Sequence, residues 1–126
     1  MKNTVVYIET EKKRYPLVFN LNVMEEIQEK YGSLDKWGEL TKGSGEPNIK
    51  DLKAGIKIML NEAIDMENEE NGTNEPMLTD KQVGRIMSQV GLGELTQKIR
   101  GVTIASVQGK DNTGKNEYST KSMMMR

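Results

Sequence analysis

The spacing of apolar residues changes after Phe19, and the change separates a short β region from a longer helical one. Thr4 to Glu9 (TVVYIE) and Arg14 to Phe19 (RYPLVF) are rich in the β-branched and aromatic residues that suit a pleated surface. In the second run Tyr15, Leu17 and Phe19 share one face. Pro16 cannot donate to a sheet ladder, so it points to an edge strand or a strand start. The polar link Thr10 to Lys13 makes a β-hairpin the economical reading, although no Asn-Gly or Asp-Gly pair defines its turn. Such a hairpin is marginal alone and must lay one face on helices.

The rest of the chain reads as helical. Asn22 is placed to cap a helix, with Glu25 reaching back as in a capping box; Met24, Ile27 and Tyr31 form its apolar face, and Gly32 suits a left-handed end. Ser33 then caps a short helix with Leu34 and Trp37 one turn apart. After the Gly- and Pro-rich loop Lys42 to Pro47, Asn48 and Asp51 start the longest helix, with Ile49, Leu52, Ile56, Met59, Leu60 and Ala63 at helical spacing. It runs into an acidic stretch, Glu62 to Glu75, whose charges oppose the macrodipole at a helix C-terminus; fraying and a loop through Asn68 to Pro76 are expected. Thr79 and Gln82 make a second capping box, followed by Val83, Ile86, Met87 and Val90 and closed by Gly91. Leu95, Ile99 and Val102 predict a last helix, yet Gly101 followed by VTIASV leaves Val102 to Val107 open between helix and strand. The expected architecture is α+β, an N-terminal β-hairpin packed on a bundle of about four helices. Residues 1–108 make one domain, and the polar, apolar-poor stretch 109–126 is expected to be a flexible, disordered tail.

Composition narrows the chemistry. Lys plus Arg (18) nearly balance Asp plus Glu (19), so no global positive field favours nucleic acid or an anionic membrane, although a local patch escapes such a count. With no Cys and no His, there is no disulfide framework, no thiolate, no Cys or Ser nucleophile paired with His and none of the usual zinc sites. The N-terminal apolar run is too short for a signal peptide, and a soluble cytoplasmic protein is expected. Nothing assembles acid, base and nucleophile, so the expectation is a protein that is not an enzyme and takes no cofactor or metal.

Three motifs tempt a sharper reading. The acids after Glu62 suggest a calcium loop, but Glu70 stands where its glycine belongs and Pro76 where its bidentate Glu belongs. Gly109 to Lys115 (GKDNTGK) has the spacing of a phosphate-binding loop, but Asn116 replaces the magnesium-binding hydroxyl and too few residues follow to form the helix. The helix pair around Gly91 to Gly93 could mimic a helix-turn-helix, but Glu94 and Leu95 stand where base-reading residues belong. That keeps a small helical DNA-binding regulator of a mobile element as the alternative function.

The run Tyr15, Pro16, Leu17, Phe19, Asn20, Leu21, Asn22, followed by Glu25, Glu26, Ile27, Tyr31 and Gly32, resembles the start of the tail assembly chaperones of long-tailed bacteriophages and prophages. The resemblance covers a small part of the chain. It implies a non-enzymatic protein that binds the tape-measure protein and recruits tail-tube subunits in the host cytoplasm, and that is absent from the mature virion. It transfers a role and no active site. It also implies a longer product made by frameshifting, for which Lys115-Asn116 could be encoded by a slippery run. Partner contact is expected through adaptable Met side chains: Met24, Met59 and Met87 are assigned to the core, and Met66 and Met77, flanking the acidic loop, to the binding surface. Trp37 is expected to anchor its corner of the core; as an exposed tryptophan it would join them as a partner-binding residue. The acids nearby favour a basic, amphipathic partner helix over nucleic acid.

Overall fold

The computed structural model describes residues 4–42 and 48–108. Strands β1 (Thr4–Glu9) and β2 (Arg14–Phe19) form a two-stranded antiparallel hairpin. Helices α1 (Leu21–Tyr31), α2 (Leu34–Lys42), α3 (Ile49–Asn71), α4 (Asp80–Val90) and α5 (Leu92–Gln108) follow. The expected α+β hairpin on helices is therefore present, and Val102 to Val107 are helical. The expected tail from Gly109 onward and its phosphate-loop-like run lie outside the described residues.

Thr10 closes the hairpin, its amide donating to the Lys13 carbonyl (2.9 Å) while its Oγ1 accepts from the Lys13 amide (3.2 Å). The register pairs Thr4 with Phe19, Val6 with Leu17 and Ile8 with Tyr15 on one face. On that face Ile8, Leu17 and Phe19 are buried, with Val6 and Tyr15 packed at its margin. Pro16 lies opposite Tyr7. Both strands of a two-stranded sheet have a free edge, so a residue without an N–H is accommodated there. The other face carries Tyr7, whose ring lies under the Arg14 guanidinium at 4.1 Å from the centroid.

Helix α1 begins two residues earlier than the Asn22 cap predicts. The Asn20 side chain is the cap, accepting from the Val23 amide at 3.1 Å, and Asn22 is already helical. Asn20 and Asn22 then both donate to Glu62 Oε2, at 2.7 and 3.0 Å, tying the start of α1 to the middle of α3. The buried face of α1 is Val23 and Ile27, with Met24 and Tyr31 half-buried beside it. Gly32 ends the helix at φ 92°, a region costly for side chains with a Cβ.

Helix α3 lies against β2, α1, α2 and α4. Its inner stripe is Leu52, Ile56, Met59, Leu60 and Ala63, as the spacing predicts, whereas Ile49 in the first turn faces solvent. The helix does not fray at Asn68. It continues to Asn71, where Gly72 in the left-handed conformation caps it and the Thr73 amide returns to the Asn68 carbonyl (3.1 Å). Glu67, Glu69 and Glu70 are exposed, so water screens their conflict with the helix dipole, and the cap outweighs what remains. The Thr79 and Gln82 capping box of α4 is formed in both directions, and Val83, Ile86 and Met87 are buried beneath it. Leu95, Ile99 and Val102 of α5 complete the same core.

Trp37 is 2% exposed and anchors its corner of the core as expected, so it is not the exposed tryptophan that partner contact would need. Its indole fills the space where α2 meets α3, at a point where Gly55 has no side chain; a Cβ there would overlap Trp37 Cζ2 and lie 2.6 Å from Cε2. The indole N–H donates to the Asp51 carbonyl at 2.9 Å, which satisfies the polar edge of a buried tryptophan. The Tyr31 hydroxyl donates to Asp51 Oδ1 at 2.9 Å, and the Asp51 amide donates to the capping oxygen of Asn48 at 3.2 Å. One turn of α3 thereby receives α1, α2 and its own cap.

Three outcomes are expected from this corner. Gly55→Ala should destabilise the fold by about 1–3 kcal/mol despite Ala's better helix propensity, because overpacking against a rigid ring exceeds that gain. Chemical denaturation should show Trp37→Ala and Gly55→Ala to be far from additive when combined, since both act on one contact. Burial, aided by the hydrogen bond to Asp51 and its charge, pushes the Tyr31 hydroxyl up from 10.0 to about 12. A raised value favours the protonated form in the folded state, so this contribution to stability is complete below pH 10 and is lost towards about 12. Phenolate absorbance should show a late-titrating tyrosine that disappears in Tyr31→Phe, and the loss of stability over that window should be smaller in the variant.

Candidate functional site

Among the described residues an open groove of about 710 Å³ lies between α1, α3 and the segment that enters α4. The wall from α3 consists of Ala54, Lys57, Ile58, Asn61, Glu62 and Asp65. These positions recur at intervals of three and four, so they form one helical stripe set apart from the inner stripe that begins at Leu52. Glu26, Glu29 and Lys30 of α1 make the second wall, and Met77 and Asp80 the third.

Amide side chains hold the third wall in place. Asn61 Nδ2 donates to the Leu78 carbonyl (3.2 Å) and its Oδ1 accepts from the Leu78 amide (2.8 Å), a two-bond clasp from helix to extended chain. One turn beyond Asp65, Asn68 Oδ1 accepts from the Glu75 amide and the Thr73 hydroxyl, both at 2.9 Å, while its Nδ2 donates to the Glu75 carbonyl at 3.0 Å. Lys57 Nζ meets Asp80 Oδ1 at 2.9 Å on the exposed rim. The Lys57 ammonium holds the Asp80 carboxyl below the usual carboxylate range, first by hydrogen bonding and then by charge. That lowered value gives the pair its effect above the ordinary carboxylate range and removes it as the pH falls.

Five carboxylates, Glu26, Glu29, Glu62, Asp65 and Asp80, line the groove against two ammonium groups, Lys30 and Lys57. Asp80 is taken by Lys57, and Glu62 by the amides of Asn20 and Asn22. The near-neutral charge of the whole chain conceals this local excess.

Met77, one of the residues assigned to the binding surface, is 44% exposed and lies in the groove. Met66 is not among the groove's lining residues: it is half-buried, with Sδ 3.8 Å from Asn20 Nδ2, so it serves the junction of α1 with α3. Met59 and Met87 are buried and Met24 half-buried, as core methionines should be. Spacing gave no warning of Asn61 and Asn68. The available signal was their residue type, since Asn within a helix is a poor helix former that often bonds elsewhere.

Among the described residues no three His, Cys, Asp or Glu side chains group as a metal site would require, and Glu62 to Asn71 are helical where a calcium loop would need a turn. Among the same residues no helix is long and apolar enough to cross a membrane. No protein-family model, curated protein or solved structure matches the chain.

Asn61→Ala should strand the amide and carbonyl of Leu78 and destabilise the protein by about 1–3 kcal/mol. Hydrogen exchange should find the Leu78 amide opening much faster in the variant, with the amides of Ile56 to Leu60 far less affected; equal acceleration at both places would mean that Asn61 holds the whole helix and not this wall.

Proposed function

We propose that the protein is a tail assembly chaperone that holds the tape-measure protein of a phage or prophage soluble and helps to recruit tail-tube subunits, without enzymatic activity. The observation that carries the reading is the groove, because it places an exposed methionine among carboxylates on rigid helical walls, beside the segment that resembles the chaperone family. Within that segment Asn20 and Asn22 have a physical role: they lock α1 against α3 through Glu62, and so hold two groove walls together. A flexible thioether on a fixed scaffold suits a partner with many similar segments, because it repacks around each at little cost. The acidic lining disfavours nucleic acid as the occupant, which weighs against the DNA-binding alternative. Action would take place in the cytoplasm of the host, and the protein would be left out of the finished virion.

Co-expression with the tape-measure protein of the same phage or prophage should increase the soluble fraction of that protein and co-purify the two. Met77→Asp should reduce the co-purified amount while leaving the circular dichroism and the denaturation midpoint of the free protein nearly unchanged, since Met77 is exposed. If the tape-measure protein stays insoluble and nothing of the tail co-purifies with the unaltered chain, the proposed role fails.

A further inference from the structure

We infer that the groove docks one amphipathic α-helix of a partner, about three turns long, basic along one side and apolar along the other. The inference deepens the proposed chaperone role and rests on it for the identity of the partner, though not for the chemistry of the contact. Length follows from the α3 wall: Ala54 to Asp65 spans about 16 Å at the helical rise of about 1.5 Å per residue. That distance accommodates a helix of roughly three turns lying along α3. Helices reading one another through a groove use side chains spaced at three and four, which is the spacing both α1 and α3 present here.

The character of the occupant follows from the lining. Ala54, Ile58 and Met77 give apolar contact, with Met77 the most adaptable of them. Glu26 and Glu29 stand on one wall and Asp65 on another; none of the hydrogen bonds or ion pairs among the described residues uses these three carboxylates. A helix whose Lys or Arg side chains flank an apolar stripe would meet carboxylates on both sides and thioether and aliphatic carbon beneath. Long basic side chains suit such rims, because their stems cover apolar surface while the charged ends reach outward. An acidic helix would meet repulsion from both walls.

The test uses the full chain and a synthetic peptide of about 15 residues, Leu along one helical face and Lys along the other, long enough to become helical on docking. Fluorescence anisotropy should detect binding to the unaltered protein, and a peptide with Glu in place of Lys should not bind. The double charge reversal Glu26→Lys with Asp65→Lys, one from each wall and both outside the core, should weaken binding by about tenfold or more. An equal reversal on the hairpin, Glu9→Lys with Glu11→Lys, should change it by less than about twofold. Equal losses from both pairs, or equal binding of the acidic peptide, would overturn the inference by showing adhesion to net charge or to apolar surface in general. Peptide binding that follows the groove while no tail protein co-purifies would remove the chaperone role and leave the docking chemistry intact.

Discussion

The packing of Trp37 against Gly55 is the constraint on which the arrangement of the helices depends. An indole can approach a helix this closely only where that helix lacks a side chain, and Gly55 supplies such a place in the second turn of α3. Because the indole N–H is aimed at the Asp51 carbonyl, the ring is fixed in direction as well as in depth. Asp51 passes that constraint on through its carboxylate to Tyr31. Two helices, α1 and α2, are thereby referred to the first turns of α3, and the hairpin adds Ile8, Leu17 and Phe19 to the same core.

Much of this was legible in the sequence, and the reasons differ by element. Apolar spacing located both strands and all the helices, because burial on one face imposes a period that local chemistry does not conceal. Thr79 and Gln82 announced α4, since the capping box is a local motif whose partners lie within one turn. At α1 the cap is Asn20, two residues before the Asn22 that the spacing predicts. Both Asn20 and Asn22 donate to Glu62, some forty residues away, a tertiary contact that no local rule can see. The acidic end of α3 was misread for a related reason. A macrodipole argument counts charges, whereas the helix is stopped by Gly72 and supported by the Asn68 side chain, whose partners lie in the chain that folds back.

The groove was legible in part. Exposed methionine beside acid drew notice to Met77 and Met66 alike, but only tertiary structure separates them, by placing Met77 on an open wall and turning Met66 toward Asn20. Its second wall, from α1, could not be read at all, because a surface helix with many glutamates looks the same whether it faces bulk water or another helix across a cleft. The two stripes of α3 differ in what they face: one set of positions builds the core, and the set rotated away from it lines the groove.

The straps that hold Glu75 and Leu78 to α3 are neutral amides, whereas the groove's attraction for a cation comes from carboxylates. Dipoles at hydrogen-bonding distance are nearly indifferent to dissolved salt, but charges facing water are screened within about 8–10 Å at ordinary ionic strength. Shape and attraction in this protein therefore answer to different variables. A basic helix held as inferred above would loosen as ionic strength rises, while the amide straps on Glu75 and Leu78 keep their form.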